Sequence, residues 1–215
     1  MADQFKLYIS KLQLNKESSS VQEDLQDLYR LHERLRNAFD SYNCKEKISM
    51  LYRVENGHNP AVDGIQIHVQ ALVCPLWDEL SNETDYFLKP PLTSKIENIR
   101  IRNEASYHFL IHASPTEMSK NNKVVRLHYD QLLRWIIAKG DLCGFYVEKD
   151  EIKIQQLPST IAVKVKNGER TDLNINTVRY SGILHVSDEV RLSDAMKFGI
   201  GRGLEFGCGL LSLAS

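Results

Sequence analysis

Between Gly199 and Gly209 five glycines fall within eleven positions, and the apolar run Leu210-Leu211-Ser212-Leu213 follows at once. Glycine has no Cβ, so such a stretch turns through positive φ and lets another backbone or a ligand come close. Its successive N–H groups can face one concavity, which suits a phosphate. The apolar run predicts a short buried strand and not a loose tail, because unstructured chain ends do not usually finish on an apolar segment. Whatever this chain folds into must therefore close with a strand locked into a sheet, entered through a glycine loop. The spacing matches neither GxGxxG after a strand nor GxxxxGK[ST], which excludes both nucleotide fingerprints.

The rest of the chain supplies partners for that strand. Phe5 to Leu14 alternates apolar and polar residues, as a half-buried strand does. Ser18-Ser19-Ser20 interrupts it, Ser20 and Glu23 have capping-box spacing, and the pattern predicts one helix from Val21 to Phe39. Ile48–Glu55 and Ile65–Val73 predict two strands, joined by a loop with Asn56-Gly57, Asn59-Pro60 and Asp63-Gly64. Residues 75–95, with Pro75, Pro90 and Pro91, announce no element, and a strand over Ile96–Arg102 would put Arg100 and Arg102 on one face. A second set begins at Ser106: a strand to Ala113, a helix from Tyr129 to Lys139 stopping near Gly140, and a strand from Phe145 to Leu157. A polar loop with Lys164, Lys166 and Arg170 follows, then a strand Val178–Val186 and a helix Val190–Phe198 ending at Gly199. At 215 residues the chain has room for one large or two small domains. The repeated order β-α-β-β-α-β predicts an α+β protein of two tandem ferredoxin-like (RRM-like) domains, residues 1–103 and 104–215.

Composition narrows the function classes. The formal net charge of −1 gives no global basic field, so an anionic partner must be held by local patches. Four cysteines, at 44, 74, 143 and 208, form no CxxC pair; this predicts reduced thiols in a cytoplasmic protein and no zinc site. The start carries no signal-peptide pattern, and no apolar run is long enough to span a membrane. Among the histidines, His108 and His112 are four apart in a predicted strand and lack a third ligand, so no metal is expected. On the first predicted helix, Leu25, Leu28, Leu35 and Phe39 cluster on one face with His32 among them, and Tyr29 and Arg36 at the edge. A histidine on an apolar stripe usually packs; exposed at a groove, His32 is able to shuttle a proton near neutral pH beside a Tyr29 hydrogen bond. Basic residues gather as Lys120, Lys123 and Arg126, as Lys164, Lys166 and Arg170, and as Arg100 and Arg102. Singly each group suits a solvated surface, whereas two basic loops beside a glycine turn suit a phosphate track.

The ending Gly199-Ile200-Gly201 through Gly207-Cys208-Gly209-Leu210-Leu211-Ser212-Leu213-Ala214 closely resembles that of the CasE family, the CRISPR repeat-RNA endoribonucleases of type I-E Cascade. Asp27-Leu28-Tyr29-Arg30-Leu31-His32 is similar to that family's catalytic helix, and Arg53-Val54-Glu55, Phe109 through Pro115-Thr116, Trp135 and Gly144-Phe145 also match. The resemblance implies a tandem ferredoxin-like fold that binds a CRISPR repeat hairpin and cuts at the 3′ base of its stem. It implies a cofactor-free and metal-independent reaction, with 2′-hydroxyl attack on the adjacent phosphate, and retention of the product as a Cascade subunit. His32 would be the general acid or base and Tyr29 would orient the scissile nucleotide. Lys164, Lys166 and Arg170 would grip the stem. Lys120, Lys123, Arg126, Arg36 and Arg202, with Gly199, Gly201, Gly207 and Gly209, would complete the RNA surface. The chain departs from the family pattern with Leu110 and Ser114 before Pro115, and with Leu204-Glu205 inside the glycine loop. The alternatives are a non-catalytic hairpin-binding subunit on the same fold and a protein-interaction module whose glycine loop serves assembly.

Overall fold

The structure is a computed structural model that describes residues 4–40, 49–55, 64–80, 85–115, 117–118, 124–125, 127–166 and 169–214. In chain order, β1 (Phe5–Leu14) leads to α1 (Ser19–Gln26) and α2 (Leu28–Asn37), then β2 (Met50–Glu55), β3 (Ile65–Ala71) and β4 (Leu92–Ile99). These four strands form one antiparallel sheet in the order β2-β3-β1-β4. β5 (Ser106–Ala113) opens the second half, followed by the short pair β6 (Glu117–Met118) and β7 (Val124–Val125) and by α3 (Tyr129–Cys143). Next come β8 (Phe145–Tyr146), β9 (Ile152–Gln156), the hairpin β10 (Thr160–Lys166) and β11 (Glu169–Ile175), β12 (Val178–Val186), α4 (Glu189–Phe198) and β13 (Leu211–Ala214). The second sheet runs β13-β5-β12, with β8 and β9 both paired to the far side of β12. The architecture is thus mixed α/β, built on antiparallel sheets. Among the described residues no helix is long and apolar enough to cross a membrane.

β1 shows why one sheet serves two cores. Leu12 and Leu14 pack into the core beneath α2, whereas Leu7 belongs to the core under α3 and α4. Traffic also runs the other way: Ala162 and Ile175 of the hairpin and Cys208 of the glycine loop pack into the α2 core. Polar contacts fix the same junction. Arg53 is buried, bonds Glu55 at 2.6 Å and donates to Ser212 Oγ at 2.9 Å, while Arg179 reaches the second Glu55 oxygen at 3.0 Å. Gln70 donates to the carbonyl of Met196 at the end of α4.

Several expected elements differ. The single helix over Val21–Phe39 is two helices broken at Asp27, whose φ of −137° and ψ of 99° are extended. The capping box of Ser20 and Glu23 does not form: the helix starts two residues earlier, at Ser19 with Ser18 as its N-cap, and Glu23 pairs with Arg30 at 2.7 Å. The helix expected to stop near Gly140 continues to Cys143 and ends on Gly144 in the left-handed region. Gly140 lies against Phe145, where a Cβ would sit 2.5 Å from the Phe145 carbonyl, so the glycine serves close packing and not termination. The strand expected over Phe145–Leu157 is split by a 3₁₀ turn at Lys149–Glu151, and the polar loop beyond it is the β10–β11 hairpin. β4 ends at Ile99, so exposed Arg100 and Arg102 lie beyond it and not on one face of a strand. The loop between β2 and β3 and Ile48 lie outside the described residues, apart from Gly64.

α2 carries its leucines on one side only: Leu28, Leu31 and Leu35 are buried, whereas Tyr29 is 40% exposed. Replacing Leu35 by alanine is expected to cost about 2–5 kcal/mol by opening a cavity. Tyr29→Ala should change stability by no more than about 0.5 kcal/mol, as an exposed position does. Urea unfolding of both variants checks the contrast.

Candidate active site

The break at Asp27 sets the phase of α2. Asp27 is the N-cap, and its Oδ1 accepts the Tyr29 N–H at 3.0 Å. Once a new helix starts at Leu28, Leu25 belongs to a different helix and no longer shares the stripe. On a wheel at about 100° per residue, Leu28, Leu31 and Leu35 then span the buried arc. His32 borders that arc, and Tyr29 and Arg36 lie together further out. The structure agrees: His32 is half-buried, and Tyr29 and Arg36 are exposed. Tyr29 and His32, three residues apart, share one surface. The expected pair is brought together, and His32 sits at the rim of the leucine stripe instead of inside it.

What closes over His32 from the other side is Tyr52 of β2, whose ring centroid lies 6.4 Å away, tilted by 31°. Tyr52 is fully buried; its hydroxyl donates to the Glu205 carbonyl at 3.0 Å, with the Leu28 carbonyl at 3.5 Å. Burial pushes the His32 pKa below its ordinary value, Glu33 and Glu205 oppose that shift, and Arg36 adds to it. Its Nδ1 is buried with no hydrogen-bond partner among the described residues, so Nε2 is the nitrogen left to exchange a proton. Burial outweighs the two carboxylates, so the imidazole gives up a proton more readily than a free one.

The glycine loop forms the third wall. Gly199, Gly201, Gly203, Gly207 and Gly209 all take positive φ, as expected. At Gly207 the approach is to protein: a Cβ there would come within 3.1 Å of the Tyr52 ring at φ +76°. Much of the backbone hydrogen bonding also turns inward, with Ile200 N–H on the Gly209 carbonyl, Cys208 N–H on the Gly203 carbonyl and Gly209 N–H on the His112 carbonyl. Gly207 and Gly209 are buried, Gly199 is half-buried, and Gly201 and Arg202 are exposed. The loop thus presents Gly201 and Arg202 outward, uses Gly207 to seat itself on Tyr52, and closes on Leu204 and Ile200 at Gly209.

Lys164, Lys166 and Arg170 fall on the β10–β11 hairpin, with Lys164 opposite Thr171, Val165 opposite Arg170 and Lys166 opposite Glu169. That hairpin packs on α2. Lys120, Lys123 and Arg126 lie outside the described residues. Among the described residues no three His, Cys, Asp or Glu side chains are close enough to share a metal ion. Leu110 is half-buried in β5, an interior strand of the second sheet, and Ser114 is buried just beyond that strand's end. Sequence reasoning missed Tyr52 and the full role of Asp27. An aspartate just ahead of Leu28-Tyr29 was a legible N-cap signal; nothing in the sequence pointed to Tyr52.

A second histidine is buried beside the inter-sheet contact. His112 is 3% exposed, its Nε2 has no partner among the described residues, and burial together with Arg53 pushes its pKa down to about 4, Arg179 adding to this and Glu55 opposing it. Unfolded, the ring titrates near 6.5. The folded-state pKa is depressed, so the contribution of the neutral ring is present above pH 6.5 and is lost as pH falls towards 4. Up to about 3 kcal/mol of stability should disappear across that window. His112→Asn should flatten this part of the stability–pH curve, as measured by chemical unfolding at stepped pH.

The CRISPR-associated endoribonuclease Cse3 of Thermus thermophilus is 26% identical over 218 residues, covering 97% of this chain and 100% of that protein. The Cascade subunit CasE of Escherichia coli is 26% identical over 201 residues, covering 87% of this chain and 92% of that protein. The structure of Thermus thermophilus Cse3 bound to an RNA representing a pre-cleavage complex matches with a TM-score of 0.79 at 24% identity, over 98% of this chain and 100% of that one. Cas6e of Escherichia coli matches with a TM-score of 0.64 at 20% identity, over 96% and 98%. These structural likenesses speak for the fold. The profile of the family described as CRISPR associated protein covers residues 7–215, and with that span matched the chain belongs to the CRISPR-associated protein family of CasE and Cse3.

Proposed function

We propose that this protein is a metal-independent endoribonuclease that binds a CRISPR repeat hairpin, cuts pre-crRNA at the 3′ base of the stem, and stays bound as a Cascade subunit in the cytoplasm. The observation that carries the reading is the shared exposed edge of α2, where Tyr29 and half-buried His32 stand together beside the glycine loop. The relatives support it: Cse3 is named an endoribonuclease, CasE a Cascade subunit, and Cse3 was captured with RNA in a pre-cleavage complex.

The fold supports it as well. Each sheet has its first and third strands in the middle, the order 4-1-3-2 of a ferredoxin-like unit, which favours two such domains over residues 1–103 and 104–215. The second unit has helices in both crossover positions, α3 and α4; the first has α1 and α2 in one and a 3₁₀ turn, Trp77–Leu80, in the other. The domain boundary falls between β4 and β5.

In the reaction the ribose 2′-oxygen bonds to phosphorus as the bond to the 5′-oxygen breaks. The products are a 2′,3′-cyclic phosphate and a 5′-hydroxyl, with a net transfer of one proton from the 2′-hydroxyl to the 5′-oxygen. His32 delivers the proton to the leaving oxygen, and Tyr29 holds the nucleotide in line. Lys164, Lys166 and Arg170 on the hairpin, Arg36 near His32, Arg202 on the exposed part of the glycine loop, and Lys120, Lys123 and Arg126 hold phosphates of an A-form stem, read by shape. Gly199, Gly201, Gly207 and Gly209 give the loop the curvature that brings Arg202 to the surface.

The purified chain incubated with the repeat hairpin RNA of its own locus should cut it once, at the stem base, with EDTA present. His32→Ala should lower the single-turnover rate by about 10²–10⁴-fold, the usual contribution of a general acid. Tight binding without product at any pH would instead make the chain a non-catalytic hairpin-binding subunit.

A further inference from the structure

We infer that Asp27 is a positioning residue that couples the RNA-gripping hairpin to the catalytic helix, an inference that rests on the proposed function. The carboxylate stands where α1 stops and α2 starts. Its Oδ1 accepts two backbone N–H groups from elements far apart in sequence: Tyr29 of α2 at 3.0 Å and Val163 of β10 at 2.9 Å. Both bonds have ordinary N–H···O lengths, and an ionised acceptor makes them stronger than bonds to a neutral one, so one oxygen ties the two backbones together.

The two elements meet there for reasons of packing as well. β10 lies against both α1 and α2, and Ala162, the residue before Val163, is buried in the core that holds Leu28, Leu31 and Leu35. Val163 in turn precedes Lys164, the first of the three basic positions on the hairpin. One oxygen atom thus fixes the backbone beside the first stem-gripping residue relative to the backbone of Tyr29, one turn ahead of His32. RNA seated on the hairpin is then placed at a set distance from the imidazole. In-line attack is sensitive to such placement, and an error of about 1 Å costs about 10²-fold in rate.

Three substitutions separate this coupling from simple capping. Asp27→Asn keeps an oxygen acceptor of the same reach. Asp27→Ser keeps a good N-cap but is too short to serve both N–H groups. Asp27→Ala removes both contacts. With saturating repeat hairpin RNA, Asp27→Ser and Asp27→Ala should lose about 10–100-fold in single-turnover rate through misplacement. Their Kd for the hairpin should stay at the wild-type value, and Asp27→Asn should recover most of the rate. In the free proteins, amide hydrogen exchange should quicken at Val163 but not at Tyr29 in Asp27→Ser. Wild-type cleavage by Asp27→Ser, or unchanged exchange at Val163, overturns the inference. If the wild-type chain cuts no hairpin, the proposed function fails, and the exchange at Val163 still decides whether Asp27 joins the two elements.

Discussion

Burial of Leu28, Leu31 and Leu35 against the first sheet is the constraint from which the site follows. Each such side chain contributes about 1.5–3 kcal/mol when taken out of water, enough together to fix the rotation of a ten-residue helix. Rotation fixed, the neighbours of the stripe have no freedom: His32 must lie at its rim and Tyr29 and Arg36 beyond it. The same packing that lowers the proton affinity of the imidazole therefore also aims it. A helix too short to be stable alone is held by its tertiary contacts, which makes the position of the Tyr29–His32 edge a property of the core.

Both halves of the chain build that core. The hairpin inserts Ala162 and Ile175 beside α2, the glycine loop inserts Cys208, and Tyr52 ties the loop carbonyl of Glu205 to the region of Leu28. In return β1 lends Leu7 to the second core, and Arg53 and Glu55 reach across to Ser212 and Arg179. His32 is therefore walled by β2 from the first half and by the glycine loop from the second. A candidate site made this way depends on how the halves meet and not on either alone.

Much of this was legible in the sequence. The alternation of Phe5–Leu14 and the apolar ends of the second half gave strands close to those observed, because period-two burial is a local signal. The three-residue spacing of Tyr29 and His32 was enough to place them on one surface. The failures share one cause, which is tertiary. Asp27 breaks a helix that its local pattern favours because its carboxylate finds the Val163 N–H 136 residues away. Gly140 looked like a stop because its partner, Phe145, is visible only once the chain has folded. The five glycines promised close approach, and the structure shows the partner at Gly207 to be Tyr52, a residue that sequence spacing could not supply. Leu204-Glu205 places a carboxylate near His32, where it opposes the effect of burial.

The central claim is that α2 presents a proton donor to an RNA whose own 2′-hydroxyl is the nucleophile. The most direct measurement replaces the ribose at the cleavage site of the repeat hairpin by a 2′-deoxyribose and analyses the ends of any product. The account predicts that the ribose substrate yields a 2′,3′-cyclic phosphate and a 5′-hydroxyl, and that the deoxy substrate binds equally well and remains whole. Cleavage of the deoxy substrate, or a 5′-phosphate on the ribose product, would contradict it.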